Sequence, residues 1–296
     1  MLDHLLTEQV NPDSRDIDAQ PTLEIIRILN REDQKVAQAV EEELPQIGLA
    51  VDAVVQAVKA GGRLFYIGAG TSGRLGVLDA VECPPTFSVS PELVQGIIAG
   101  GEAALAHATE ATEDDPESGR SDLLARGFTG RDVLVGIAAS GRTPYVLGAV
   151  KQAREMGAVT VGISCTPDSE LARAVDIPIT PLTGPEAIAG STRLKAGTAT
   201  KLVLNMISTG AMIRLGHVYG NLMVNVQPKN TKLVDRARRI VAVAAGVSYE
   251  RAGQLLEAAG NSVRTAILMA KTGLDRQEAE QRLRESGGRI AQALAK

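Results

Sequence analysis

Arg63-Leu64-Phe65-Tyr66-Ile67 runs directly into Gly68-Ala69-Gly70-Thr71-Ser72-Gly73-Arg74, and an amphipathic run from Leu75 to Val81 follows at once. Five residues of strand character empty into a loop that mixes glycines with two hydroxyls and opens a helix. Such a junction is a natural anion site, because the first amides of a helix lack intrahelical acceptors and point outward. The loop satisfies G-x-G-x-x-G at Gly68, Gly70 and Gly73, which alone is a weak dinucleotide signal. A dinucleotide site also needs an acidic residue about 20 residues on, at the end of the second strand. That strand ends near Ile98 and runs into Ala99-Gly100-Gly101, while Glu92 lies before it. No G-x-x-x-x-G-K-[ST] occurs, so a P-loop is excluded. Thr71 and Ser72 favour a single phosphate held by amides and hydroxyls.

Strands and helices alternate outward from this junction. Short apolar runs bounded by Gly, Pro or Asp mark strands at 63–67, 94–98, 132–137, 159–163 and 175–179, as expected of strands buried on both faces. Helical patterns lie between them at 74–81, 102–109, 116–126, 144–156 and 168–174. The alternation predicts an α/β fold with a doubly wound parallel sheet, its ligand beyond the carboxyl ends of the strands. Residues 1–21 read as an irregular arm, followed by amphipathic segments starting at Thr22, at 35–43 and at 45–60. A long apolar helix covers about 191–215, and 235–296 reads as a small helical bundle with a capping box at Asp275 and Glu278. The expected organisation is N-terminal helices over 1–60, the ligand-binding domain over 61–234 and the bundle over 235–296.

Composition narrows the class. The 296 residues are 44% hydrophobic and 22% charged, ordinary for a globular protein. A net charge of -4, no Trp and 2% aromatics give no basic surface and few stacking rings, which excludes a nucleic-acid partner. Lys201 and Asn205 interrupt the best apolar stretch, and the polar N-terminus has no secretory core. Cys83 and Cys165 make no disulfide framework, and His4, His107 and His217 show no metal-ligand spacing. A cytoplasmic, metal-free protein is the expectation.

A second loop repeats the first. Gly136-Ile137-Ala138-Ala139-Ser140-Gly141-Arg142-Thr143-Pro144 also leaves a strand, offers hydroxyls and starts a helix. Twin loops from the first and third strands would flank the switch point of a flavodoxin-like sheet and cradle a sugar phosphate. Gly70, Thr71, Ser72, Ser140, Gly141 and Thr143 are the candidate phosphate ligands.

These paired loops are similar to the sugar isomerase (SIS) domain. Gly68–Gly76, Glu82-Cys83-Pro84-Pro85-Thr86, Ile98-Ala99-Gly100-Gly101-Glu102, Gly136–Tyr145, Ser191–Ala199 and Gly220-Asn221-Leu222-Met223 together resemble the N-acetylmuramic acid 6-phosphate etherase family over nearly the whole chain. Glucokinase regulatory proteins share related SIS domains but are much longer. The resemblance implies a three-layer αβα fold with a five-stranded parallel sheet. It also implies cleavage of the D-lactyl ether at carbon 3 to N-acetylglucosamine 6-phosphate and D-lactate, in cell-wall amino-sugar catabolism. Elimination followed by hydration needs a base, an acid and no cofactor. A phosphosugar-sensing regulator is the rival reading, and it would not need the acid and base.

By the same resemblance, Glu82 matches the catalytic acid that protonates departing lactate, and Glu113 the second glutamate, assigned to the carbon 2 proton. Glu113 sits in Glu110-Ala111-Thr112-Glu113-Asp114-Asp115, where crowded carboxylates favour a protonated member. Glu82 reads as the end of a helix, fixed by a rigid turn at Pro84-Pro85. It would stand about 12–15 Å along that helix from the phosphate loop, too far for one sugar. Either the helix bends early or, as preferred, Glu82 serves the site of a neighbouring subunit in a homodimer. Ser191, Arg193 and Lys195, at the start of the long helix, are candidates for holding phosphate or the lactyl carboxylate.

Overall fold

The computed structural model describes residues 6–107, 112–226 and 230–295. Two compact units emerge, one of 1–81 with 91–208 and one of 82–90 with 209–296, so the division falls within two of the helices.

In the first unit, β1 (Leu64–Gly68), β2 (Val94–Ile98), β3 (Val133–Ile137), β4 (Val159–Ile163) and β5 (Ile177–Ile179) form one parallel sheet in the order β2-β1-β3-β4-β5. This is the flavodoxin-like order expected from the sequence. Gly68 pairs with Ile98 on one side and Ile137 on the other, so β1, β2 and β3 end level. All residues of β1 and β3 are buried, as central strands covered on both faces must be.

Alternation along β1 sends Phe65 and Ile67 to one face and Leu64 and Tyr66 to the other. Phe65, Ile67 and Leu134 share a core with Leu123 of α5 (Pro116–Ala125), Val146 and Val150 of α6 (Pro144–Glu155) and Leu171 of α7 (Glu170–Ala174). On the opposite face, α2 (Leu44–Lys59) packs on β1, β3 and β5. There too Gly76 of α3 (Gly70–Phe87) lies so close to Tyr66 that an added Cβ would sit 2.9 Å from the Tyr66 Cβ. Asp79 of α3 accepts from Tyr66 Oη at 2.8 Å, and from Asn205 at 2.6 Å and Ser208 at 3.2 Å on α8 (Lys195–Leu215). At the far end of the sheet, buried Asp132 accepts the Arg63 amide at 2.8 Å and its guanidinium at 3.0 Å, tying β1 to β3.

Three expectations change. The segments starting at Thr22 and Lys35 are one helix, α1 (Thr22–Glu41). No Gly or Pro separates them, and Ile28, Glu32, Val36 and Val40 form one buried stripe at helical spacing. Pro84 and Pro85 do not end α3, which starts at Gly70 and runs to Phe87. They fall in its last turn, where each forfeits one amide donor to the carbonyl four residues back. The Ser88 amide donates to Pro84 O at 2.9 Å, and Ser88, at φ 51°, closes the helix. The helix of 191–215 starts instead at Lys195, after a turn from Ser191 to Leu194. The four-residue α4 (Ala103–Ala106) follows β2.

In the second unit, α9 (Thr231–Ala245), α10 (Tyr249–Ala258), α11 (Val263–Thr272), α12 (Arg276–Glu285) and α13 (Ile290–Leu294) pack around Ala237, Val241, Leu256, Ile267 and Leu283. Asn230, Ser248, Ser262 and Asp275 cap four of these helices through their side chains, and the Asp275–Glu278 capping box forms as read from the sequence. Asn225 Nδ2 donates to Phe87 O at 2.8 Å and lies 2.9 Å from His217 Nδ1. Burial and the nearby Arg264 hold the His217 imidazole below its ordinary pKa.

Candidate functional site

The site is built where β1 and β3 end side by side. Thr71 and Ser72 do not precede α3 but occupy its first turn, whose amides are open. Both are half-buried, and their hydroxyls have no partner among the described residues. Gly73 packs so tightly behind them that a Cβ there would stand 2.6 Å from Gly68 O and from Ile98 Cγ1. In the loop after β3, Ser140 is half-exposed and its Oγ accepts only the Arg142 amide, at 3.4 Å. Gly141 holds φ 66°, and a side chain there would meet Ser169 at 2.3 Å, so a glycine is needed on both counts.

Glu113 is brought to this loop. Its Oε1 accepts from buried Thr143 Oγ1 at 3.3 Å, and its carbonyl accepts the Tyr145 amide at 3.1 Å. The approach depends on α5 and α6 lying nearly in backbone contact: a Cβ on Gly119 would be 1.9 Å from Tyr145 O, and one on Gly148 2.0 Å from Pro116 O. Gly119→Ala is therefore expected to push α5 off α6, cost about 1–3 kcal/mol in urea unfolding, and lower turnover by displacing Glu113. An unchanged unfolding midpoint would contradict this packing. Asp115 accepts from the Glu117 amide and from Ser118 Oγ, which hold its pKa down and commit it to capping α5. Glu110 lies outside the described residues.

The start of α8 closes the same edge. A Cβ on Gly197 would lie 3.6 Å from Thr71 Cγ2, so the first turns of α8 and α3 touch. Ser191 is half-buried in the preceding turn and Arg193 is exposed. Lys195 points elsewhere: only 2% exposed, it donates to the equally buried carboxylate of Glu32. Glu186 accepts the Lys195 and Ala196 amides at 2.9 Å each, so a protein carboxylate already occupies the α8 N-terminus. Burial raises the Glu186 pKa, and those two amides oppose the rise. Burial also pushes the Cys165 thiol up to about 12, an unreactive state.

Glu82 stands further along α3. The helix is unbroken from Gly70, so Glu82 lies about 15 Å of rise beyond Ser72. It is exposed, as are Leu78, Val81 and Pro85, which share its side of the helix at spacings of three and four.

Sequence reading missed Glu32, Asn11 and Glu186. The signal for Glu32 was available: a carboxylate set in the apolar stripe Ile28–Val36–Val40. Asn11 and Glu186 sit in irregular segments and had none.

A parallel sheet with twin hydroxyl-bearing loops at its switch point defines an SIS-type phosphosugar-binding protein. The SIS domain family matches residues 124–209, and the glucokinase regulatory protein N-terminal SIS domain matches 46–154. The phosphoheptose isomerase of Neisseria gonorrhoeae superposes with a TM-score of 0.50 at 19% identity, covering 64% of this chain and 97% of its own, a likeness of fold. The N-acetylmuramic acid 6-phosphate etherase of Serratia proteamaculans is 54% identical, covering 99% of this chain and 98% of that protein. The Aeromonas hydrophila etherase is 56% identical over 98% of both, and that of Clostridioides difficile 52% identical over 99% and 96%. The chain belongs to the N-acetylmuramic acid 6-phosphate etherase family.

Proposed function

We propose that the protein cleaves the D-lactyl ether of N-acetylmuramic acid 6-phosphate to N-acetylglucosamine 6-phosphate and D-lactate. Identity above half with etherases matched end to end carries this reading. The loops after β1 and β3 hold the phosphate through Gly70, Thr71, Ser72, Ser140, Gly141 and Thr143, with Ser191 at the facing turn. In the open-chain sugar, the aldehyde acidifies the proton on carbon 2. Glu113 takes that proton, the bond from carbon 3 to oxygen breaks, and Glu82 protonates the departing lactate oxygen. Water then adds at carbon 3 of the unsaturated aldehyde. General acid–base catalysis suffices, and no step calls for a metal or redox group.

Glu82 acts in the site of a second copy of the chain. Two observations support this: its distance along α3, and its setting on a face with Leu78 and Val81, each at least half exposed, where solvent is a poor environment for apolar side chains. Two buried thiols, not joined by a disulfide, suit a reducing cytoplasm.

Incubation of the purified protein with the phosphosugar should release D-lactate, read with a D-lactate dehydrogenase assay. In ¹⁸O-water the label should enter carbon 3 of the sugar and not the lactate. Binding without lactate would identify a sensor and overturn the etherase reading.

A further inference from the structure

We propose that a cleft in the C-terminal helical unit, between the start of α11 and the length of α12, binds a phosphomonoester anion at a site separate from the loops after β1 and β3. The cleft has a volume of about 470 Å³ and is lined by Gly260, Ser262, Arg264, Arg276, Glu280 and Arg284, among others. That volume suits a small phosphorylated molecule, since ligand pockets run to about 300–1,000 Å³.

Three guanidiniums face one carboxylate, which leaves a local excess of positive charge. Arg264 carries most of the argument. It is half-buried, desolvation lowers its pKa, and its hydrogen bond among the described residues goes to the neutral carbonyl of Gly288, at 3.3 Å. No carboxylate pairs with it there, and a desolvated cation without a counter-ion is unfavourable until an anion arrives.

The other groups keep donors in reserve. Arg276 uses Nε on Glu280 at 2.7 Å, leaving its terminal nitrogens for a ligand. Arg284 uses Nε and Nη2 on Gln281, at 3.2 and 2.7 Å, leaving Nη1. Ser262 Oγ accepts from the Thr265 amide and from Thr265 Oγ1, so its own hydroxyl proton remains to be donated. Ser286, 5% exposed, has an Oγ with no partner and immediately precedes the lining residues Gly287 and Gly288.

Glycines make room for the cations. A Cβ on Gly260 would lie 2.6 Å from the Arg276 guanidinium, and one on Gly288 would lie 2.8 Å from Arg264 Nη1. Planar guanidinium forks and hydroxyl donors match the oxygens of a phosphate, and its charge of about −2 balances the excess better than a carboxylate would.

Calorimetric titration of the full chain with N-acetylglucosamine 6-phosphate and with inorganic phosphate tests this. Two sites per chain are expected, the second weakening with added salt. Arg264→Gln and, separately, the exposed Arg284→Gln should weaken that second site about 10- to 100-fold, as loss of a charge-assisted hydrogen bond does, while lactate release stays at the wild-type rate. Circular dichroism confirms that each variant is folded, and Arg284→Gln serves if Arg264→Gln is not. Tighter binding of the phosphosugar than of inorganic phosphate would mean that the sugar is also recognised; equal binding would mean recognition of the phosphate alone. A single site in the wild type, a second site indifferent to both folded variants, or equal binding of unphosphorylated N-acetylglucosamine would each overturn the proposal.

Discussion

Glu32→Leu is expected to destabilise the sheet-bearing unit by about 3–5 kcal/mol, the cost of leaving a buried charge without its partner. Glu32 and Lys195 are each 2% exposed, and the Lys195 ammonium donates to Glu32 Oε2. Without Glu32, Lys195 is a buried cation whose nearest acid in sequence, Glu186, is committed to two backbone amides. The reverse change costs less. In Lys195→Met, Glu32 keeps Lys35 on Oε1 at 2.5 Å and Asn11 on Oε2 at 2.7 Å. The double variant Glu32→Leu/Lys195→Met should regain most of the loss, because an apolar pair often matches a buried ion pair. Urea midpoints of the three proteins check the order, and a double variant no better than Glu32→Leu would refute it.

The same pair fixes an acid dependence. Burial alone would raise the Glu32 pKa, but hydrogen bonds from Lys195, Lys35 and Asn11 outweigh it and lower it from 4.5 to about 2. A carboxylate depressed on folding stabilises fully above its unfolded pKa, and the contribution fades as pH falls towards the folded value. The gap between wild type and Glu32→Leu should therefore narrow from pH 5 to pH 2.

Local patterns made the sheet legible. Each strand of the first unit is a short apolar run closed by a Gly, Pro or Asp, and the twin loops differ from ordinary turns by their hydroxyls. Helix limits were less legible where two local signals competed. The Pro84-Pro85 pair reads as a stop, because each proline forfeits an amide donor, yet α3 continues through both to Phe87. Thr71 and Ser72 read as loop residues because glycines surround them, although the helix has already begun. Long-range pairings had no local trace at all. Nothing near Glu113 in sequence announces Thr143; the contact exists because Gly119 and Gly148 let two helices touch. Lys195 attracted a ligand-binding role because it follows Ser191 at a helix start, and only the fold reveals the carboxylate it meets.

Glu82→Gln and Glu113→Gln should each lower kcat by about 10²–10⁴-fold, the usual contribution of a positioned acid or base, with little change in KM because neither holds the phosphate. Their roles separate in deuterium oxide. If Glu113 moves the carbon 2 proton, Glu113→Gln loses exchange at carbon 2 along with lactate release. Glu82→Gln, failing only at departure of the lactate, should still exchange that position. Exchange surviving in Glu113→Gln and vanishing in Glu82→Gln would reverse the assignment. Subunit sharing has its own test, since Glu82 follows Ser72 along a continuous helix by more than a sugar's reach. In the proposed homodimer, mixing Glu82→Ala with Ser72→Ala chains gives hybrid dimers in which one site draws intact Ser72 from one copy and intact Glu82 from the other. Random assortment makes about half the dimers hybrid, with one working site of two, so about a quarter of wild-type activity should return. If Glu82 served its own chain, every site in the mixture would carry a lesion and no activity would appear.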